Sequence, residues 1–203
     1  MGLSLVRRRT AMDTGADNLT LANPTLSNGS FAHNTQNQAT GWTTNGTVTF
    51  GAAGAELRET LNNQAALRQV FSLGEHDRYL RFTVQSDLHR TSNGPGDAFE
   101  AALLDANTGA ALRCIKGLGH SDAFLNQQVP GAHSLLNTSA DLVVTENLDG
   151  SRTYTLDLAG LSAGSALELS LDLIGFVEAD SAVRISHVQL LPDLEALDDM
   201  PAA

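Results

Sequence analysis

Charge is scarce in this chain of 203 residues: Asp, Glu, Lys and Arg together make up only 17%. Cations are scarcer still, 12 Lys and Arg against 23 Asp and Glu, giving a formal net charge of −11 and a pI near 4.7. Phosphate-backbone recognition needs clustered Lys and Arg, so this balance argues against nucleic acid as a partner. The basic cluster Arg7-Arg8-Arg9 reads as a solvated tail. Cysteine is nearly absent, and Cys114 alone cannot form an internal disulfide. Its setting, "ALRCI", predicts a small buried hydrophobe, and no paired base lies near it in sequence to make it a nucleophile. No apolar run approaches the roughly 20 residues that cross a membrane as a helix, so membrane insertion is not expected. The start "MGLSLVRRRT" lacks signal-peptide order, because its basic residues follow the apolar ones. Val6 stands where myristoylation wants Ser or Thr.

What remains is a chain of strands and turns. Its length suits one sizeable domain. Low charge, 18 Gly and evenly scattered Val, Leu and Thr favour a sandwich or barrel over helices. Period-two segments recur about every ten residues: "TVTF" (47–50), "AELRE" (55–59), "ALRQVFSL" (66–73), "YLRFTVQ" (79–85), "AFEAALL" (98–104), "DLVVT" (141–145), "TYTLDL" (153–158), "ALELSLDLIG" (166–175) and "AVRISHVQL" (182–190). In the third, Leu67, Phe71 and Leu73 share a face; in the fourth, Leu80, Phe82 and Val84 point inward and Arg81, Thr83 and Gln85 outward. Leu167, Leu169, Leu171 and Leu173 form the clearest inward set. In the last segment Val183 and Ile185 are out of phase with Val188 and Leu190, which predicts a bulge at Ser186-His187. Turn signals such as "DANTG" (105–109) and "NLDGS" (147–151) separate the segments, and Asn62-Asn63 reads as another turn. Residues 1–17 read as a flexible extension, 18–191 as the sandwich, and 192–203 as an acidic tail.

The segment "SNGSFAHNTQNQATGWTTNG" (27–46) sets Phe31 and the sole Trp, Trp42, among neutral turn formers. Two roles are open. The rings are core anchors under a loop, or Trp42 is a stacking platform for a sugar, with Asn34, Gln36, Asn37 and Gln38 supplying hydrogen bonds. The first is preferred, since aromatics bury large areas; aromatics total only 5%, few for a flat polysaccharide binder. A second candidate glycan surface is the outward strand face bearing Arg81, Thr83, Gln85, Glu100, Glu168, Ser170 and Asp172. Six scattered His show no metal spacing. "GHSDA" (119–123) and "ISHVQ" (185–189) lack the setting of a nucleophile elbow, so no catalysis is expected.

Residues 18–191 resemble the jelly-roll modules of the galactose-binding-like superfamily, among them bacterial carbohydrate-binding modules and domains of large extracellular or surface proteins. The resemblance is carried by "NPTLSNGSF…GW" (23–42), "ALRQVFSL…RYLRFTV" (66–84), "DAFEAALLDANTGAAL" (97–112), "LDLAGLSAGSALELSLDLIGF" (156–176) and "DSAVRISHVQLL" (180–191). It implies an all-β, antiparallel two-sheet sandwich of about eleven strands, without catalysis, in a non-catalytic extracellular or cell-surface module. It also implies a structural Ca2+ where the first and last strands join, held by an acidic residue after the first Phe and an Asp in the final bulge. Those positions are Ala32 and Ser186 here. Hard cations want carboxylate oxygens, so Ca2+ is not expected at that place. Asp97, Glu100, Asp122 and Asp180 are an alternative metal set. The expected partner is a glycan or a neighbouring surface protein. The alternative is a homo-oligomer: a structural subunit that self-assembles by pairing "NLTLANPTL" (18–26) with a neighbour's sheet edge.

Overall fold

The computed structural model describes residues 25–35, 38–59, 64–90, 96–117, 121–129, 134–176 and 180–193. The extension (1–17), most of 18–26, Gln36, Asn37, the turn at Asn62-Asn63, His120, His133 and residues 194–203 lie outside the described residues. Described residues form strands and turns, with no helix among them. The chain runs through β1 (Asn34–Thr35), β2 (Gln38–Ala39), β3 (Thr43–Asn45), β4 (Thr47–Gly51) and β5 (Gly54–Arg58). It continues through β6 (Gln64–Ser72), β7 (Asp77–Asp87), β8 (Ala98–Asp105), β9 (Ala111–Arg113) and β10 (Ala123–Gln128). It ends with β11 (Leu135–Thr138), β12 (Leu142–Glu146), β13 (Arg152–Asp157), β14 (Ala166–Ile174) and β15 (Ala182–Pro192).

Two antiparallel sheets make a jelly-roll sandwich, as expected. One is ordered β11-β10-β8-β14-β6-β3, with β9 added beside β8; the other is ordered β12-β13-β7-β15-β5-β4. The alternation read from the sequence is the reason. Leu167, Leu169, Leu171 and Leu173 of β14 are buried, and so are Leu80, Phe82 and Val84 of β7. Phe124 packs edge-on against Phe82 at 6.2 Å, and Tyr154 stacks on Phe82 at 5.4 Å. The phase change in β15 is a bulge, with the register shifting between Ser186 and Gln189 and His187 at φ 56°. That extra residue sends His187 to solvent and returns Val188 to the core.

β6 breaks the apolar rule once. Its inward set is Leu67, Gln69 and Phe71, and Gln69 is only 3% exposed. A buried amide needs partners. Gln69 accepts from Ser27 N at 2.7 Å and donates to Ser27 O and Gly41 O, each at 3.1 Å. The amide thus pins both ends of the loop from Ser27 to Trp42. A Cβ at Gly41 would sit 2.8 Å from Ser27 Oγ and 3.0 Å from Gln69 Nε2, and its φ is +85°, so only glycine fits. Asn28 organises the loop's other side: its side chain accepts from His33 N and donates to His33 O and Thr40 O. Its carbonyl accepts from Phe31 N at 2.9 Å and Trp42 Nε1 at 3.2 Å. The Phe31 and Trp42 rings meet at 5.1 Å, and Phe31 reaches Phe50 at 6.0 Å. Gly29 closes against the final bulge, its carbonyl accepting from Val188 N at 3.0 Å.

Cys114 is exposed, contrary to the buried reading. β9 ends at Arg113, and beyond it the buried side chain is Ile115. The alternation expected to carry Cys114 inward stops one residue short.

Three outcomes test this account. Leu169→Asp puts an unpaired charge between the sheets and leaves no cooperative unfolding transition by circular dichroism. Gln69→Leu keeps an apolar filler but orphans Ser27 N and Gly41 O; it lowers unfolding free energy by about 2 kcal/mol in urea titration. Trp42→Ala costs more, about 3–5 kcal/mol.

Candidate functional site

Outward-facing β7 and β15 side chains form the floor of a groove of about 740 Å³ on the six-stranded sheet. Thr83 and Gln85 come from β7, Arg184 and Ser186 from β15. The register sets them in rungs, Thr83 opposite Ser186 and Gln85 opposite Arg184. The connection between β12 and β13 forms one wall, with Asn147, Leu148, Asp149 and Ser151. Ala53, in the turn between β4 and β5, and His187, on the bulge, line the other side.

The wall is held by its own polar groups. Asn147 N donates to Ser151 O at 2.8 Å, and Asn147 Nδ2 donates to Ser151 Oγ at 2.9 Å and Thr153 Oγ1 at 3.1 Å. Asp149 Oδ1 accepts from Ser151 Oγ at 2.7 Å and Ser151 N at 3.0 Å, and these bonds hold its carboxyl below the usual range. Thr153 in turn meets Thr83 at 3.1 Å, tying wall to floor. Leu148 stands fully exposed at the tip of this fixed loop. Arg184 is oriented by Glu56 on β5, Nη2 to Oε2 at 2.7 Å. The Arg184 and Arg58 guanidiniums hold the Glu56 carboxyl below its ordinary value. The groove therefore offers neutral hydroxyl and amide groups, the His187 imidazole, one compensated guanidinium, the Asp149 carboxylate capped by Ser151, and an apolar tip.

The sequence-predicted residues distribute unevenly. Thr83 and Gln85 line this groove; Arg81, four residues before Gln85 on β7, does not. In the amide orientation that satisfies both groups, Gln189 Oε1 accepts from Arg81 Nη2 at 2.6 Å and Nε at 3.1 Å, so Arg81 is a cross-strand tie. Glu100, Glu168, Ser170 and Asp172 were placed on the same face as Arg81 and Gln85. They lie on the other sheet, around a hollow of about 400 Å³ that also takes in Arg68 and Asp122. There Arg68 Nε donates to Ser170 Oγ at 2.9 Å, and Asn126 Nδ2 donates to Glu100 Oε1 at 2.7 Å. One outward face was expected; strand order makes two, on opposite sides of the sandwich.

Trp42 is 6% exposed and offers no ring face to a ligand, because the ring is packed on Phe31 and its N–H is used by Asn28 O. Asn34 is exposed, but its Nδ2 donates to Phe31 O at 3.0 Å. Asp97, Asp122 and Asp180 are not brought together: among the described residues no three His, Cys, Asp or Glu are grouped to hold a metal ion. Asp97 is 1% exposed, with Oδ1 accepting from Phe176 N at 2.9 Å and Oδ2 from Ser181 Oγ at 2.5 Å. Asp180 is exposed, 3.6 Å from Arg58 Nη1. Where the resemblance would put Ca2+, Ala32 is exposed and Ser186 Oγ meets His187 Nδ1 at 3.0 Å. That Ser–His contact joins chain neighbours at an exposed bulge.

The wall residues Asn147, Leu148 and Asp149 were not singled out as a site from sequence. A signal existed: Leu148 is a large apolar residue inside a turn, in phase with neither strand.

No family model matches the chain. No curated protein matches it either. Among solved structures, the chain is similar to a non-crystalline-cellulose-specific carbohydrate-binding module, CBM28. The identity is 12% and the TM-score 0.44, with 84% of this chain and 98% of that one covered. It is also similar to the enzymatically active domain of tailspike protein 4 of bacteriophage CBA120. There the identity is 16% and the TM-score 0.38, and the match covers 84% of this chain and 22% of that one. Neither TM-score reaches 0.5, so the fold rests on this chain's own strand pairing and the site on its own residues.

Proposed function

We propose that the protein is a non-catalytic carbohydrate-binding module, extracellular or cell-surface and adhesive in role, that holds a neutral glycan in the groove on the six-stranded sheet. The single observation behind this reading is the makeup of that groove: Thr83, Gln85, Asn147, Ser151 and Ser186 with exposed Leu148 beside them. Sugars present hydroxyls around an apolar ring face. Neutral donors and acceptors fixed on strands, next to an apolar side chain, complement both features with little ordering cost. The location rests on the resemblance of residues 18–191 to modules of large surface proteins.

A self-assembling subunit is the second reading, and one observation favours it. Among the described residues β12 is an edge strand, and its Val143 is 64% exposed. An apolar side chain on an open edge invites pairing with another copy. Residues 18–24 of the strand-exchange segment lie outside the described residues.

Two experiments separate these. Binding of the full chain to an array of neutral oligosaccharides is expected, and Gln85→Ala weakens it at least about tenfold while changing stability by less than about 0.5 kcal/mol. An array on which no glycan binds overturns the carbohydrate reading. Light scattering after size exclusion is expected to report a monomer; an oligomer that Val143→Lys dissolves establishes assembly through β12 instead.

A further inference from the structure

We infer that the groove is one part of a longer track that holds the interior of a neutral, linear polysaccharide chain; this deepens the carbohydrate-binding reading and rests on it. A second hollow of about 440 Å³ lies on the same sheet, lined by residues that include Glu56, Arg58, Asp87 and Ala182. Gln85 and Arg184 line both hollows. The register shows how they connect. Thr83 pairs with Ser186, Gln85 with Arg184, and Asp87 with Ala182, so successive rungs of one β7–β15 ladder carry the floor from the first hollow into the second. Alternate residues on a strand are about 6–7 Å apart, so three rungs extend about 13 Å along the strand axis, more than one ring needs.

Both hollows are partly open to solvent. A site for a chain terminus needs a blind end, and a floor shared by both hollows at Gln85 and Arg184 puts none between them. The charges of the second hollow cancel: Arg58 and Arg184 are matched by Glu56 and Asp87. Glu56 bonds both guanidiniums, to Arg58 Nε at 2.7 Å and Arg184 Nη2 at 2.7 Å, which turns them into fixed donors. With Asp149 of the first hollow, three carboxylates face two guanidiniums along the track, and this small negative excess disfavours a polyanion. Its occupant is therefore a neutral polymer that passes over Gln85 and Arg184 and continues on both sides.

Calorimetry on the full chain with glucose-, xylose-, mannose- and galactose-based linear oligosaccharides of one to six units tests this. For the sugar that binds, affinity is expected to rise at least about tenfold with length before it levels off, as each added ring fills more of the track. Reducing the terminal sugar to its alditol leaves hexasaccharide affinity unchanged. Arg58→Ala brings hexasaccharide affinity down to that of the disaccharide. Equal affinity for one unit and six, or loss of binding on terminal reduction, overturns the track while the carbohydrate reading stands. No binding by any of the four series overturns both.

Discussion

A buried amide with three backbone partners decides how this sandwich is closed. Gln69 faces the core between Leu67 and Phe71, where an unpaired polar group is costly. It is satisfied only because Ser27 and Gly41, fourteen residues apart, both come to it. Everything between them is then constrained to fold back as a loop. The abundance of Asn, Thr, Gln and Gly follows from that constraint: short polar side chains such as Asn28 supply the hydrogen bonds a tight loop cannot make within a ladder. Phe31 and Trp42 fill the space beneath. Phe31 accepts a φ of 59°, a conformation uncommon for a bulky residue, and its ring is fully buried.

The same closure separates structure from recognition. With the aromatic pair committed to the core, the surface groups that remain available are those of the strands and hairpins. The bulge in β15 links the two ends of this arrangement. Its Val188 side chain is in the core and its amide bonds Gly29 O, while its neighbours Ser186 and His187 line the groove. A Cβ on Gly29 would lie 1.7 Å from Val188 O, so the loop and the bulge depend on glycine there.

Much of the fold was legible because one-face burial writes itself into sequence at period two. β7 and β14 show this plainly, and the phase change from Ile185 to Val188 located the bulge. β10 was not legible. "AFLNQQ" shows no period-two pattern, yet Ala123–Gln127 are buried on both faces, with Asn126 bonded to Glu100 and Gln127 to Ser86. Polar residues buried with partners carry no alternation signal. The site was legible only at Thr83 and Gln85. Sheet membership depends on strand order, so no local pattern could tell that Glu100 and Gln85 face opposite ways. Leu148 was overlooked because turns are read for their glycines and acids.

Trp42 is the only tryptophan, so its fluorescence reports the central claim without interference. The claim is that the loop from Ser27 to Trp42 closes the core and is not a stacking platform. Acrylamide quenching of the native protein, with and without saturating oligosaccharide, is the direct measurement. A blue-shifted emission quenched far less than free tryptophan, and indifferent to the sugar, is the predicted result. Emission and quenching like those of free tryptophan, with protection when the sugar is added, would contradict the account.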